Sequence, residues 1–445
     1  MSNARETAFE ALLKVEKEEA YSNIVLNNII KISDLSSKDI SLCSAIFYGV
    51  LEKKLTLNYI ISKYSKMPIK KLSIEVLLIF YIGIYQLFYM NKIPKSAAVN
   101  ESVKLSKCKK LYSAAGFING ILRSIVRDGT KLSLDDLEEN SLKYLSIKYS
   151  CPEWIISMWQ SSYGDQCTIG ILKSLEIKVP INIRVNTLKT TKKELMNILV
   201  NEGLKVCDIN LLENSLEISG TGSIESLKSF KDGLFHVQDI SSQICCKILD
   251  PKPGYKVADV CAAPGGKSFT IAELMKNNGE ILSFDLYEQK VNLIKNGAKR
   301  LGIEIIKSKV KDAKLPMESG TLVDRVLCDA PCSGFGIIRR KPEIRYKDKD
   351  LFKDLPKLQY EILSASEKKL KPSGTLVYST CTLNQKENGE VADKFLIEHK
   401  NYEPLPILLE GVDKAIDEPK NQLTLMPHIH NTDGFFIACF RKLSD

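Results

Sequence analysis

Residues 328–336 read CDAPCSGFG, and Ser-Thr-Cys follows at 379–381. These stretches offer two thiols, Cys332 and Cys381, and one carboxylate, Asp329, each among small or turn-forming residues. Thiols in such surroundings are structural, metal-binding or reactive. Metal has little support: no C-x-x-C pair occurs, and Cys245-Cys246 is an adjacent doublet. His428 and His430, in MPHIHNTDGFF, would face one side of a strand, but no further ligand is evident. They are read as structural or as lining a substrate cleft, and no metal is expected. Of the twelve cysteines, nine or ten are expected to be small buried hydrophobes in a reducing cytosol.

A second chemical stretch is CAAPGGKS, residues 261–268, which precedes the helical pattern SFTIAELMK. Its small residues let backbone approach a ligand at a helix N-terminus. A phosphate-binding loop needs G-x-x-x-x-G-K-[ST]; Gly266-Lys267-Ser268 fits the end, but Cys261 stands at the first glycine position. G-x-G-x-x-G is absent as well. A nucleoside-type cofactor remains, held by Cys261, Ala262, Ala263, Pro264, Gly265, Gly266 and Lys267. Asp285 lies twenty residues beyond Gly265 at the end of LSFDL, where an acid accepts ribose hydroxyls. Asp312 follows the third strand, within reach of an adenine amino group, and Asp329 follows the fourth. A single such Asp is usually a cap or turn former. Strand ends reading D-V, D-L, D-A and D-A in succession argue for a shared site.

The elements that must position these residues begin near Gln243. YKVADV, GEILSFDL, IEIIKSKV, VDRVLCDA and GTLVYST alternate with helical patterns, which predicts an α/β, doubly wound parallel sheet. LTLMPH and GFFIACFRK would close it as a hairpin. Residues 1–135 read as helices, with Ala4, Ala8, Leu12 and Val15 on one face and further helices at 21–32, 38–65, 69–90, 96–107 and 115–127. Ile74–Met90 is the most apolar stretch, but it is short for a membrane span and contains Glu75 and Gln86. The acidic connector Asp135–Asn140 leads into residues 136–239, a small α+β section. It contains a short helix after Pro152, a strand at INIRVNTL, a helix at TKKELMNILVNEG, and strands near LEIS and GLFHVQ. Residues 240–445 form the third domain. No basic region precedes an apolar segment at the start, so a cytoplasmic protein is expected.

Charge is uneven. The chain carries +9 overall, and residues 1–130 contribute 19 bases against 11 acids. Between Lys53 and Arg127 there are fourteen bases and only two acids, Glu75 and Glu101. Such a concentration suits a polyanion, most simply nucleic acid, although a solvated lysine-rich surface reads alike.

The stretches AIFYGVLEKKLTLNYII, IPKSAAVNESVKLSK and GFINGILRSIVR resemble the NusB family of RNA-binding helical domains. CAAPGGK, DAPCSGFGIIRRKPEIRY and YSTCTLNQKENG resemble the Sun family of S-adenosylmethionine-dependent RNA cytosine-5 methyltransferases. The NusB-like beginning narrows this to the RsmB type, which modifies small-subunit ribosomal RNA. The resemblance implies S-adenosyl-L-methionine as cofactor, ribosomal RNA as partner and a monomer without DNA or membrane.

In that chemistry a thiolate adds to C6 of cytosine and makes C5 nucleophilic. The resemblance implies attack by Cys381 and assistance to release by Cys332. Asp329 would contact the cytosine edge, and Lys267 would stabilise charge there. Arg339, Arg340, Lys341 and Arg345 suit a phosphate-and-base channel for unpaired RNA. Two alternatives stand beside this reading: a cytosine-5 methyltransferase of transfer or large-subunit RNA, and a catalytically silent RNA-binding adaptor. An amino-group methyltransferase is disfavoured, because DAPCSG stands where such enzymes carry Asn or Asp, Pro-Pro and an aromatic.

Overall fold

The computed structural model describes residues 3–18, 22–220, 222–316 and 322–444. Two compact units result: Met1–Glu176 with Ile338–Lys347, and Ile177–Ile337 with Asp348–Asp445.

In the first unit, α1 (Ala4–Glu18), α2 (Ser22–Lys31), α3 (Ser37–Tyr64), α4 (Ile74–Tyr89), α5 (Lys95–Cys108) and α6 (Tyr112–Asp128) close over one core. These are the expected helices, save that Tyr21 lies outside the described residues. Ser36 and Ser73 start α3 and α4 by accepting the backbone N–H groups of Asp39 and Val76. The Ser73 cap also divides the expected 69–90 helix, leaving Ile69–Lys71 as a separate single turn. Eleven of the sixteen residues of α4 are buried. Gln86 is buried with them and accepts Arg5 Nε at 2.7 Å, while Glu75 pairs with Lys17 at 3.2 Å. Among the described residues no helix is long and apolar enough to cross a membrane.

This unit also contains α7 (Leu142–Tyr149) and α8 (Glu153–Ser174). The short helix expected after Pro152 runs 22 residues. Gly164, at φ +75°, kinks it without ending it, and the continuation buries Ile171 and Leu172.

The excursion Ile338–Lys347 corrects an expectation. Arg345, placed by the sequence in an RNA channel, is only 2 % exposed and donates to the carbonyls of Ser150 at 3.0 Å and Ile338 at 3.2 Å. Glu343 accepts the Ser22 N–H and hydroxyl at 3.1 and 2.8 Å. A guanidinium engaged by buried carbonyls cannot meet a phosphate; Arg345 is structural.

The second unit holds two sheets. In chain order its elements are β1 (Ile181–Val185), α9 (Lys192–Asn201), β2 (Lys205–Asp208), β3 (Ser215–Ser219), α10 (Lys228–Lys231), β4 (Phe235–Val237) and α11 (Ile240–Leu249). There follow β5 (Lys256–Asp259), α12 (Gly266–Leu274), β6 (Glu280–Asp285), α13 (Glu288–Leu301), β7 (Ile306–Val310) and β8 (Val323–Asp329). The last are α14 (Leu355–Ser366), β9 (Leu370–Thr380), α15 (Gly389–Glu398), β10 (Tyr402–Pro404), β11 (Gln422–Leu425), α16 (Pro427–His430) and β12 (Phe435–Lys442). The small antiparallel sheet has order β2-β3-β1-β4. The sequence misses β2 because this edge strand is mostly exposed and shows no apolar alternation.

The large sheet has order β10-β12-β9-β8-β5-β6-β7, with β11 paired to β12. Strands β5 to β9 run parallel, and β12 lies antiparallel to β9, completing the expected hairpin with β11. The central strands β5, β6, β8 and β9 are largely buried, whereas the edge strand β7 (IKSKV) is mostly exposed. Six cysteines are buried, Cys43, Cys151, Cys245, Cys246, Cys328 and Cys439, fewer than expected; Cys108 ends α5 and Cys207 lies on the edge strand β2, both exposed.

Candidate active site

Strand order reverses between β5 and β8, and in open α/β sheets ligands bind outside the carboxyl ends at that point. Asp259 and Asp329 end those two strands, and a cleft of about 220 Å³ opens there. Cys261, Ala262, Ala263, Pro264, Gly266, Lys267 and Asp329, all expected, line it. Gly265 shapes the turn: φ is +110°, and a Cβ would fall 2.5 Å from the Phe269 ring. Asp285 ends β6 and accepts the Tyr287 N–H at 3.3 Å. Asp312 lies just past β7 and accepts the Lys314 N–H at 2.9 Å. Neither belongs to the lining of this cleft; both stand along the same sheet edge.

Lys267 Nζ donates to Asp329 Oδ2 at 2.7 Å and lies 5.1 Å from the centre of the Phe435 ring. Burial opposes the ammonium, but the Asp329 carboxylate outweighs it and holds Lys267 above the ordinary lysine range. The Ser379 hydroxyl donates to the other Asp329 oxygen at 2.8 Å. Both carboxylate oxygens are thereby oriented. Asp259, which the sequence marks only as one of the strand-end acids, is 1 % exposed, and burial pushes its carboxyl up to about 7.

Cys332 Sγ lies 3.2 Å from Cys381 Sγ. The contact with Cys381, reinforced by burial, raises Cys332 well above the usual thiol range, which favours its protonated form. Neighbouring residues lock the pair. Ser333 and Thr382 hydroxyls are 2.7 Å apart. Glu387 Oε2 accepts the Ser333 N–H and Gln359 Nε2, both at 2.9 Å, and its Oε1 accepts the Ser333 hydroxyl at 2.5 Å and Asn384 Nδ2 at 2.9 Å. Gly336 N–H donates to the Cys381 carbonyl at 3.0 Å. A Cβ on Gly336 would lie 1.9 Å from the Gly434 carbonyl, so only glycine fits. Burial pushes Cys261 and Cys328 above the thiol range, which suits lining and core roles.

Sequence reasoning missed Glu387, Ser379 and Gln238. Glu387 stands in the NQKENG stretch, but a lone acid there carries no spacing signal. The two histidines sit on the helical turn α16, not on a strand. His430 Nδ1 accepts the Met426 N–H at 2.8 Å. In the helical unit, Lys53, Lys54, Lys63 and Lys109 are paired with acids lying outside the Lys53–Arg127 window. Lys66, Lys70, Lys71, Lys92, Lys95, Lys107 and Lys110 are exposed.

The residues lining the cleft fit the amino-acid and nucleoside parts of a cofactor: Gln238 Nε2 and Asp259 Oδ1 are buried polar atoms without partners, and Gly265 and Gly266 allow close backbone approach. Comparisons with known proteins agree. A family model described as 16S rRNA methyltransferase RsmB/F matches residues 246–441, a NusB family model residues 2–127, and an RsmF/B-like ferredoxin-like domain residues 151–225. The probable ribosomal RNA small subunit methyltransferase B of Bacillus subtilis is 39 % identical, covering 99 % of both chains. The corresponding Klebsiella pneumoniae protein is 32 % identical over 98 % of this chain and 97 % of its own. The crystal structure of PH0851 superposes with a TM-score of 0.84 at 28 % identity, covering 99 % of this chain and 98 % of that one. NSun6 from Pyrococcus horikoshii, solved with the ligand SFG, gives 0.60 at 25 % identity, covering 66 % of this chain and 99 % of its own.

Proposed function

The chain belongs to the RsmB/F family of ribosomal RNA methyltransferases, and from that premise we propose that it methylates C5 of a cytosine in small-subunit ribosomal RNA. The observation that carries this reading is the thiol pair, 3.2 Å apart beside the Lys267–Asp329 ion pair.

S-adenosyl-L-methionine, when bound, supplies the electrophilic methyl group. Asp259, the 261–267 turn and the strand-end acids Asp285 and Asp312 would hold it. Asp329, with both oxygens oriented, accepts from the exocyclic amine of cytosine, which uracil lacks. Lys267 offsets the electron density that the ring gains. The Cys381 thiolate adds to C6, and the C5=C6 electrons move to C5, which becomes the nucleophile for the methyl group. Water takes the C5 proton, and the electron pair of that C–H bond restores the C5=C6 double bond and expels the Cys381 sulfur as thiolate. The Cys332 S–H, 3.2 Å away, donates to that sulfur and stabilises it as it leaves.

On this reading residues 1–135 bind RNA through their exposed lysines, residues 136–239 contribute Val237, Gln238 and Asp239 to the cleft, and residues 240–445 carry the chemistry. The test is transfer of labelled methyl to ribosomal RNA lacking the mark, with 5-methylcytosine mapped afterwards. Modification confined to transfer or large-subunit RNA would redirect the substrate. Absence of both transfer and cofactor binding would leave an RNA-binding adaptor.

A further inference from the structure

The sulfurs of Cys332 and Cys381, 3.2 Å apart, need to approach by only about 1.2 Å to reach the length of a disulfide bond. Both side chains are partly open to solvent. The segments that carry them are already fixed side by side. Strands β8 and β9 pair in parallel with Asp329 opposite Ser379, and the Ala330 N–H donates to the Ser379 carbonyl at 2.9 Å. Ser333 and Thr382, the residues that follow the two cysteines, bring their hydroxyls to 2.7 Å. Closure therefore asks for rotation of two side chains and leaves the strand pairing intact.

A sulfenic acid with a thiol beside it condenses to a disulfide, whereas an isolated one is oxidised further to sulfinic acid. In a reducing compartment, disulfides are mostly transient and belong to catalytic or redox-sensing thiols. Resting on the thiolate assigned to Cys381 above, we infer that Cys332 and Cys381 form an oxidation site for hydroperoxides, at which a reversible disulfide halts methyl transfer.

The Cys381 thiolate attacks one oxygen of hydrogen peroxide; the S–O bond forms, the O–O bond breaks, and hydroxide leaves. The Cys332 sulfur then attacks the Cys381 sulfur, the S–S bond forms, and the sulfenic hydroxyl departs with the Cys332 proton as water. Two thiols are oxidised and one peroxide is reduced to water. The product has neither a thiolate to add to C6 nor an S–H to assist release. Neither sulfur belongs to the lining of the cofactor cleft, so cofactor binding survives oxidation. Reduction by a dithiol restores both groups.

The test treats the full-length protein with hydrogen peroxide and follows three readouts: peptide mapping of the cysteines, methyl transfer to unmodified ribosomal RNA, and calorimetric binding of S-adenosylhomocysteine. A peptide linking Cys332 to Cys381 should accumulate as transfer falls to the level of Cys381→Ala, and dithiothreitol should return both to the starting state. Affinity for S-adenosylhomocysteine should not change. If accessibility alone governed oxidation, the exposed Cys108 and Cys207 would react first; the double variant Cys108→Ser, Cys207→Ser should instead lose transfer as the wild type does. Cys332→Ala leaves Cys381 without a neighbouring thiol, so its Cys381 should gain two oxygens that dithiothreitol does not remove. Loss of transfer without the linkage, or transfer that persists once the linkage has formed, overturns the inference while the proposed function stands. Linkage in a protein that never transferred methyl refutes that function and keeps the oxidation site.

Discussion

Cys332 and Cys381, 49 residues apart in sequence, present their sulfurs to one another at 3.2 Å. Two thiols this close cannot both be anionic, so the arrangement divides labour. Burial and the contact with Cys381 favour the protonated form of Cys332, and the proposed mechanism assigns attack to Cys381. Cys332→Ala should therefore leave RNA covalently attached, seen as a retarded band on a denaturing gel. Cys381→Ala should abolish both adduct and product. A trapped adduct in Cys381→Ala would reverse the two roles.

Glu387 holds those thiols indirectly. Each of its oxygens accepts from two donors, so in Glu387→Gln the new amide must face two donors whichever way it turns. That change should cost roughly 2–3 kcal/mol of stability in denaturant titration. It should also lower kcat in protein that remains folded, with little change in KM for RNA.

Asp329→Asn removes the charge opposite Lys267 while keeping the shape of the side chain. Loss of preorganised electrostatics at a reacting base typically lowers kcat by about 10²–10³-fold. Single-turnover transfer to unmodified ribosomal RNA measures it. Cofactor affinity should change far less than turnover.

Asp259 gives a pH prediction. Burial raises its carboxyl from 3.8 to about 7, so between those values the folded protein binds a proton that the unfolded chain does not. Its contribution to stability is fully present below the unfolded value and declines as pH rises toward 7. Asp259→Asn should thus raise the melting temperature at pH 8 and have little effect at pH 4. An unchanged difference across that range would remove burial as the cause.

The exposed lysines of the helical unit should act through charge alone. Replacing Lys70 and Lys71 by alanine should weaken RNA binding and reduce the slope of log affinity against log salt by about 2 if both meet phosphates. Arg345→Met should instead destabilise the fold, since its guanidinium serves buried carbonyls, and should leave that slope unchanged.

The amino-acid sequence by itself determined the helical first third, the alternation of strand and helix, the small-residue turn before α12 and the succession of acids at strand ends. These are local matters: apolar periodicity, glycine and proline, and caps act within a few residues. Tertiary structure decided what spans longer intervals. It brought two sulfurs into contact, set Glu387 between two loops, and left Gln238 with a donor facing the cleft. It also turned Arg345 inward, although its sequence context reads as a nucleic-acid contact. A guanidinium is recognised by its partners, and whether those partners are phosphates or buried carbonyls depends on which distant segment the chain meets when it folds.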